Sequence, residues 1–220
     1  MYLRDVPSYS DLSQNLAWEK RFAAEKERRA TKLLGRISTV LRWRLWLGDF
    51  FKLFVPQKRF TGAVLDIGCG GGCRIPEGPT PYGIEISQAL ATTAAPAFAA
   101  RGGSVIHGPA LDGLRAFPPG HFTAIFMRSY LEHEAMPRRV LAKCYDLLTP
   151  GGIIYVRVPN FGGINRRIMG RRWCGFRFPD HVNYFDEASL KRLSRSVGFS
   201  YRRTNGWSPL DDNLIVMLCK

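Results

Sequence analysis

From residue 64 onward, short and nearly continuous apolar segments alternate with longer segments that are amphipathic or rich in alanine. Apolar runs of this kind are typical of parallel strands buried on both faces, and the segments between them supply crossover helices. The predicted strands cover residues 64–67, 82–86, 104–107, 122–128, 153–158, 199–204 and 214–219. The predicted helices cover residues 88–100, 138–148 and 186–197. This order of elements predicts an α/β fold.

The N-terminal residues have a different pattern. Residues 10–36 are typical of a charged helix that faces solvent. The next segment places large apolar side chains at i, i+3, i+4, i+7, i+8 and i+11, namely Trp43, Trp46, Leu47, Phe50, Phe51 and Phe54. We therefore predict a basic helical N-terminal cap over residues 1–59 and a core over residues 60–220. The aromatic stripe has two interpretations, a lid over a pocket of the core or peripheral membrane contact through residues 36–55.

The net charge of +14 is concentrated in two regions. Residues 1–60 carry 13 basic and 6 acidic side chains, and residues 157–203 carry 11 and 3, whereas residues 61–156 carry 7 of each. Positive charge placed in this way favours an anionic partner for those two regions. A basic surface that only keeps the protein in solution is the alternative interpretation.

The five cysteines form neither C-x-x-C pairs nor a set with histidines at metal-binding spacing, which predicts reduced thiols. No signal-peptide pattern and no apolar window of about 18 residues is present in the sequence. The expected location is therefore the cytoplasm, with membrane association if the aromatic stripe binds lipid.

A glycine loop follows the first predicted strand. Val64-Leu65-Asp66-Ile67 runs into Gly68-Cys69-Gly70-Gly71-Gly72, and side chains at 68, 70 and 72 would keep a ligand from lying against the backbone. Nineteen residues after Asp66, the second predicted strand carries Glu85 near its end. An acid at that point can accept both hydroxyl hydrogens of a ribose. The two features predict one nucleotide-type cofactor.

Two further motifs complete the pattern, Leu131-Glu132-His133 after the fourth strand and Leu148-Thr149-Pro150-Gly151-Gly152 before the fifth. Together the four motifs resemble those of the class I S-adenosylmethionine-dependent methyltransferases, over roughly residues 60–220. The resemblance implies a Rossmann-like seven-stranded, mostly parallel sheet with an antiparallel hairpin at its edge, formed by the last two strands. Nicotinamide or flavin binding is the alternative, but Cys73 stands where G-x-G-x-x-G requires its third glycine.

The resemblance also implies cofactor contacts. These fall on Asp66, Gly68, Cys69, Gly70, Glu85, Ile86, Leu111 and Arg128. Two departures from the family stand out. Three prolines between Gly72 and Tyr82 predict that the first helix is shortened or missing. Pro109 stands where relatives have an aspartate near the adenine amino group, so backbone around Leu111 or the Asp112 side chain must replace that contact.

Methyl transfer from an activated sulfonium requires an aligned acceptor and one base. The catalytic candidates are His133, His181 and Glu132, with His133 favoured as the base because it follows a central strand at the cofactor's methyl end. Relatives that methylate quinone precursors hold a metal with Glu-His and another acid three residues earlier. Ser129 occupies that position here, and no metal site is predicted.

The excursion after the fifth strand, at about residues 160–185, is expected to form a substrate wall. The predicted substrate contacts are Tyr130, Arg166, Arg171, Trp173 and Tyr184. Arginines interleaved with aromatics favour a small or lipid-linked, anionic acceptor, with oxygen as the favoured acceptor atom. The alternatives are a solvated basic loop, an RNA-binding methyltransferase and a non-catalytic scaffold. Nucleic acid is the less favoured partner, because the chain contains no RNA-binding module that we recognise.

Overall fold

The computed structural model describes residues 60–177, 180–206 and 211–220. The predicted N-terminal cap and its aromatic stripe lie outside the described residues. Within the described part, no helix is long and apolar enough to cross a membrane. All five cysteines are described, and none forms a disulfide.

Seven strands of the described residues form one sheet in the order β3-β2-β1-β4-β5-β7-β6. The strands are β1 (Ala63–Ile67), β2 (Thr80–Glu85), β3 (Ser104–His107), β4 (Phe122–Arg128), β5 (Leu148–Pro159), β6 (Ser200–Arg203) and β7 (Asn213–Cys219). Strands β1 to β5 pair in parallel, whereas β7 is antiparallel to both β5 and β6. The predicted Rossmann-like sheet with its antiparallel edge hairpin is confirmed.

The connections contain the helices α1 (Gln88–Ala99), α2 (Ala110–Gly113), α3 (Pro137–Leu147), α4 (Ile164–Met169) and α5 (Glu187–Arg195). Short 3₁₀ turns cover Leu114–Ala116, Leu131–His133 and Gly170–Arg172. Helix α5 begins with a capping box, in which the Asp186 carboxylate accepts from the Ser189 amide at 2.7 Å and the Ser189 hydroxyl accepts from the Asp186 amide at 3.0 Å. Such a cap stabilises a helix by about 1 kcal/mol.

The central strands are buried on both faces, as their continuous apolar sequence predicts. In β1, Leu65 and Ile67 pack into the larger core cluster with α3 and α5, while Val64 packs on the opposite face with Phe98 and Phe126. Residues 68–79 form no helix, so the first helix of the family is missing, in agreement with the proline pattern.

Strand β5 begins five residues earlier than predicted. Leu148 pairs with Phe122 and Ile153 pairs with Ala124, so the Thr149–Gly152 segment is an irregularity within the strand rather than a turn before it. Gly151, with φ of 72°, accommodates the extra residues. The pattern of apolar residues reveals only the part of the strand after such an insertion. It does not show that the residue before the insertion also pairs with the neighbouring strand.

Candidate active site

The glycine loop makes a tight turn between β1 and β2. Gly68 and Gly70 have φ of 72° and 66°, which favours glycine. The amides of Gly68 and Cys69 both donate to the Ile84 carbonyl, at 2.8 and 3.4 Å. Gly72 differs, because its φ is not left-handed and a Cβ there would contact nothing within 4 Å. The backbone conformation of the loop therefore favours glycine at positions 68 and 70 but not at position 72.

Glu85 holds this loop in place. Its side chain is buried, and its two carboxylate oxygens accept from the amides of Gly70 at 2.8 Å and Ser87 at 2.9 Å. Ser87 is in turn the N-cap of α1. Because an ionised carboxylate has about four acceptor positions, both oxygens keep the capacity to accept from a ribose.

Asp66 lies fully buried beneath the loop and forms an ion pair with Arg128, with 2.6 Å between Oδ2 and Nη2. Its other oxygen, Oδ1, has no hydrogen-bond partner among the described residues. Burial raises the pKa of Asp66, and the Arg128 guanidinium opposes that increase. Arg128 is fixed further by the Phe126 ring, 4.9 Å from its Cζ, and by the Arg74 carbonyl.

The remaining predicted cofactor residues surround the same end of the sheet. Burial raises the pKa of the Cys69 thiol to about 12, so this thiol stays protonated at neutral pH. The Ile86 carbonyl lies 3.1 Å from Nε2 of His107, and Leu111 is partly buried in α2. Asp112 is exposed and pairs with Arg115 at 2.9 Å.

The three catalytic candidates meet at the carboxyl end of β4. Glu132 and His133 belong to the 3₁₀ turn after β4, and His181 comes from the excursion after β5. The two imidazole centroids are 4.7 Å apart and the rings are nearly perpendicular. Each Nδ1 lies against a backbone carbonyl, that of Asp180 for His133 at 2.7 Å and that of Gly175 for His181 at 2.9 Å. Because a carbonyl only accepts, each Nδ1 carries the hydrogen and each Nε2 carries the lone pair.

Burial sets the charge state of this cluster. Burial, together with the neighbouring His133, lowers the pKa of His181 to about 4, and burial also lowers the pKa of His133. It raises the pKa of Glu132 to about 8, and Glu132 Oε2 has no hydrogen-bond partner among the described residues. At neutral pH both imidazoles are therefore neutral, and a large share of Glu132 is protonated.

Two residues without a predicted role hold the cluster in place. The Asn183 side-chain amide donates to the Glu134 carbonyl at 2.6 Å, and its backbone amide donates to the Glu132 carbonyl at 3.0 Å. The carboxylate of Glu134 accepts from the Tyr130 hydroxyl. The Tyr130 ring also lies 3.4 Å from the position of a Cβ on Gly68, so it contacts both the glycine loop and the support of the cluster. Sequence spacing gave no signal for the Asn183 contacts, because they join segments about fifty residues apart.

The predicted substrate contacts in the excursion fall into two groups. Trp173 and Tyr184 are buried; the indole N–H donates to Asp212 at 3.0 Å, and the Tyr184 ring packs 5.4 Å from that of Phe176. Arg166 stacks on Phe161, with Cζ 4.1 Å from the ring centroid, and Arg171 is exposed. The aromatic residues thus fix the excursion, and the arginines are the more accessible contacts.

Comparison with known proteins agrees with this geometry. The methyltransferase domain family matches residues 32–204. The chain is 28% identical over 165 residues to the ubiquinone biosynthesis O-methyltransferase of Thiobacillus denitrificans, which is 67% of this chain and 69% of that protein. The protein of the same name from Methylococcus capsulatus is 30% identical over 158 residues, covering 64% and 65% of the two chains. The crystal structure of a SAM-dependent methyltransferase from Archaeoglobus fulgidus superposes with a TM-score of 0.61 at 16% identity, over 80% of this chain and 94% of that one.

The fold and the glycine loop define a class I, Rossmann-like S-adenosylmethionine-binding protein. The chain belongs to the methyltransferase domain family. The predicted class of enzyme and its cofactor, S-adenosylmethionine, are confirmed.

Proposed function

We propose that the protein transfers the methyl group of S-adenosylmethionine to an oxygen of a small, anionic acceptor. The observation that carries the proposal is the cluster of Glu132, His133 and His181, of which Glu132 and His181 are buried, at the end of the sheet where the glycine loop lies. The names of the relatives from Thiobacillus and Methylococcus, both O-methyltransferases, support oxygen as the acceptor atom.

In this proposal the cofactor is held by two acids. The Glu85 carboxylate accepts from the ribose hydroxyls, and the unpartnered Oδ1 of Asp66 accepts from the methionine amino group, directly or through water. Arg128 keeps Asp66 in place, and Cys69, Ile86 and Leu111 line the same end. Burial around Asp66 excludes competing water, which strengthens a charged hydrogen bond.

The chemical step is an in-line displacement. The acceptor oxygen forms a bond to the methyl carbon as the carbon–sulfur bond breaks, and the sulfur keeps the electron pair. The acceptor's proton passes to Nε2 of His133, the nitrogen that carries the lone pair. His133 is neutral at neutral pH because burial lowers its pKa, so it is in the correct state to accept.

The charge of the excursion supports an anionic acceptor. Residues 160–177 contain five arginines and no acidic side chain. In this proposal Arg166 and Arg171 bind a carboxylate or phosphate of the acceptor through charged hydrogen bonds. On the same segment, Ile168 and Met169 are 74% and 50% exposed, which supports an acceptor with an apolar or lipid-linked part. Peripheral membrane contact through residues 36–55 stays a prediction.

The test is methyl transfer in a cell extract with methyl-labelled S-adenosylmethionine. After incubation with the full-length protein, aqueous and organic phases are separated and the labelled product is identified by mass. We expect one labelled compound, with the methyl group on oxygen and an acidic group elsewhere. Its phase distinguishes a free acceptor from a lipid-linked one. Label in RNA, or a methyl group on nitrogen or carbon, would contradict the proposal.

A further inference from the structure

We propose that Arg101 is a positioning residue for the methionine end of the cofactor site, and that it acts through the loop that replaces the first helix of the family. This proline loop comprises residues 73–79, between the glycine loop and β2, and it forms no helix. Arg101 lies directly after the C-terminal cap of α1. Its guanidinium reaches back across 26 residues of sequence to hold the proline loop at Ile75.

The carbonyls of the proline loop need hydrogen-bond donors from elsewhere in the fold. Pro76 and Pro79 have no backbone N–H, and a segment without helical hydrogen bonds leaves its carbonyls to be satisfied by other groups. Nη1 of Arg101 donates to the Ile75 carbonyl at 2.7 Å. Nη2 donates to the carbonyls of Pro76 at 2.5 Å and Pro79 at 3.2 Å. The planar guanidinium holds its donors in a fixed fork, so one side chain binds three carbonyls of the loop.

The proline loop is also anchored in the core beside the same helix. The Ile75 side chain is buried, and it belongs to the core cluster that contains Phe98 and Phe126. Phe98 lies in the last turn of α1, shortly before Arg101. One end of α1 therefore fixes both an apolar side chain and three carbonyls of the proline loop.

The start of the proline loop reaches the cofactor site through Arg74. The Arg74 carbonyl accepts from Nη1 of Arg128 at 3.3 Å, and its guanidinium donates to the Cys69 carbonyl of the glycine loop at 3.4 Å. Arg128 in turn forms the ion pair with Asp66. Burial raises the pKa of Asp66, and Arg128 and, to a smaller extent, Arg74 oppose that increase. A displaced proline loop would therefore move two cations that act on the Asp66 carboxylate.

The inference rests on the proposed placement of the methionine amino group at Asp66. The ribose contact depends on Glu85, whose carboxylate accepts from the amides of Gly70 and Ser87 and receives no hydrogen bond from the proline loop. Loss of Arg101 should therefore weaken ligands that have a methionine part. Ligands that have only the nucleoside part should bind nearly as before.

The test compares two ligands on the full-length protein by calorimetry, S-adenosylhomocysteine and 5′-methylthioadenosine, which lacks the amino-acid part. We expect Arg101→Ala to bind S-adenosylhomocysteine about tenfold more weakly than the wild type, and 5′-methylthioadenosine within about twofold. Arg101→Lys should fall between the two proteins, because a compact ammonium does not reproduce the fork of donors. Arg202→Ala is the matched control, since Arg202 is exposed on the edge strand β6, and it should bind both ligands like the wild type.

Unchanged affinity for S-adenosylhomocysteine in Arg101→Ala would overturn the inference. Equal weakening of both ligands would also overturn it, because a purely structural role disturbs the whole site. Urea unfolding shows whether each variant is folded, and Arg101→Lys carries the same comparison if Arg101→Ala is not.

Arg128→Met separates this inference from the proposed placement of the cofactor. A selective loss of S-adenosylhomocysteine affinity in Arg128→Met, without one in Arg101→Ala, contradicts the role of Arg101 alone. The absence of a selective loss in Arg128→Met contradicts the placement of the methionine group at Asp66, and the inference with it.

Discussion

The two ends of the candidate active site differ in the hydrogen bonds that their buried acidic side chains form. At the cofactor end, Glu85 accepts from two backbone amides close to it in the fold, and both belong to the loop or to the start of α1. At the acceptor end, Glu132 keeps an unpartnered oxygen among the described residues, next to two imidazoles with lowered pKa. The backbone thus holds the first end in one conformation, whereas in our proposal the second end takes part in the chemical step. Substitutions should therefore change cofactor affinity at one end, and turnover or the acceptor's KM at the other.

The largest expected effect is on the chemical step. His133→Ala removes the proposed proton acceptor, so kcat should fall by about a thousandfold. Cofactor affinity should stay within about twofold, because no described cofactor-end contact involves His133. His181→Ala should mainly raise the acceptor's KM. Steady-state kinetics on both variants measures kcat and KM, and calorimetry measures their affinity for the cofactor. If His181→Ala lowers kcat and His133→Ala does not, His181 is the base.

Glu85→Ala should weaken cofactor binding by about a hundredfold, because it removes the proposed ribose acceptor and also leaves the Gly70 amide without its partner. Calorimetric titration with S-adenosylhomocysteine measures the change. Glu77→Ala is the control, since Glu77 is an exposed acid near the same loop. Equal affinity in wild type and Glu85→Ala would remove Glu85 from the cofactor site.

Arg128→Met should destabilise the protein by about 2 kcal/mol, because it leaves the fully buried Asp66 carboxylate without its counter-charge. Urea unfolding measures the free energy. The double variant Asp66→Asn with Arg128→Met should recover part of the loss, since the uncompensated charge is then gone. Losses that simply add in the double variant would show that the ion pair contributes no coupling energy.

The sequence predicts the cofactor end better than the acceptor end for a physical reason. The glycine loop and Glu85 depend on short-range backbone geometry and on strands that neighbour each other, so periodicity and spacing reveal them. His133 and His181 were each predicted as candidates, but their meeting depends on the excursion folding back, with a hydrogen bond across 47 residues. The pairing of Asp66 with Arg128, across 62 residues, depends in the same way on the order of strands in the sheet. Helix α4 was not predicted, because it has only six residues and none of them is buried, so it has no apolar face for the sequence pattern to reveal.

The smallest expected effect is on stability below neutral pH. His181 has a pKa of about 4 in the folded protein, against an ordinary value of 6.5, because burial disfavours its charged form. Its contribution to stability is therefore complete above pH 6.5 and is lost as the pH falls toward 4. Between pH 7 and pH 5 this loss is about 2 kcal/mol at most, and it is smaller if water enters the cluster.

Glu132 has the opposite dependence, since its raised pKa of about 8 makes the folded state more stable as the pH falls from 8 toward 4.5. The two effects partly cancel in the wild type, so His181→Asn is needed to separate them. Urea unfolding at pH 7 and pH 5 should show that acidification changes the free energy of unfolding less favourably in the wild type than in His181→Asn. An equal change in the two proteins would mean that His181 titrates normally, and the cluster would then be open to water.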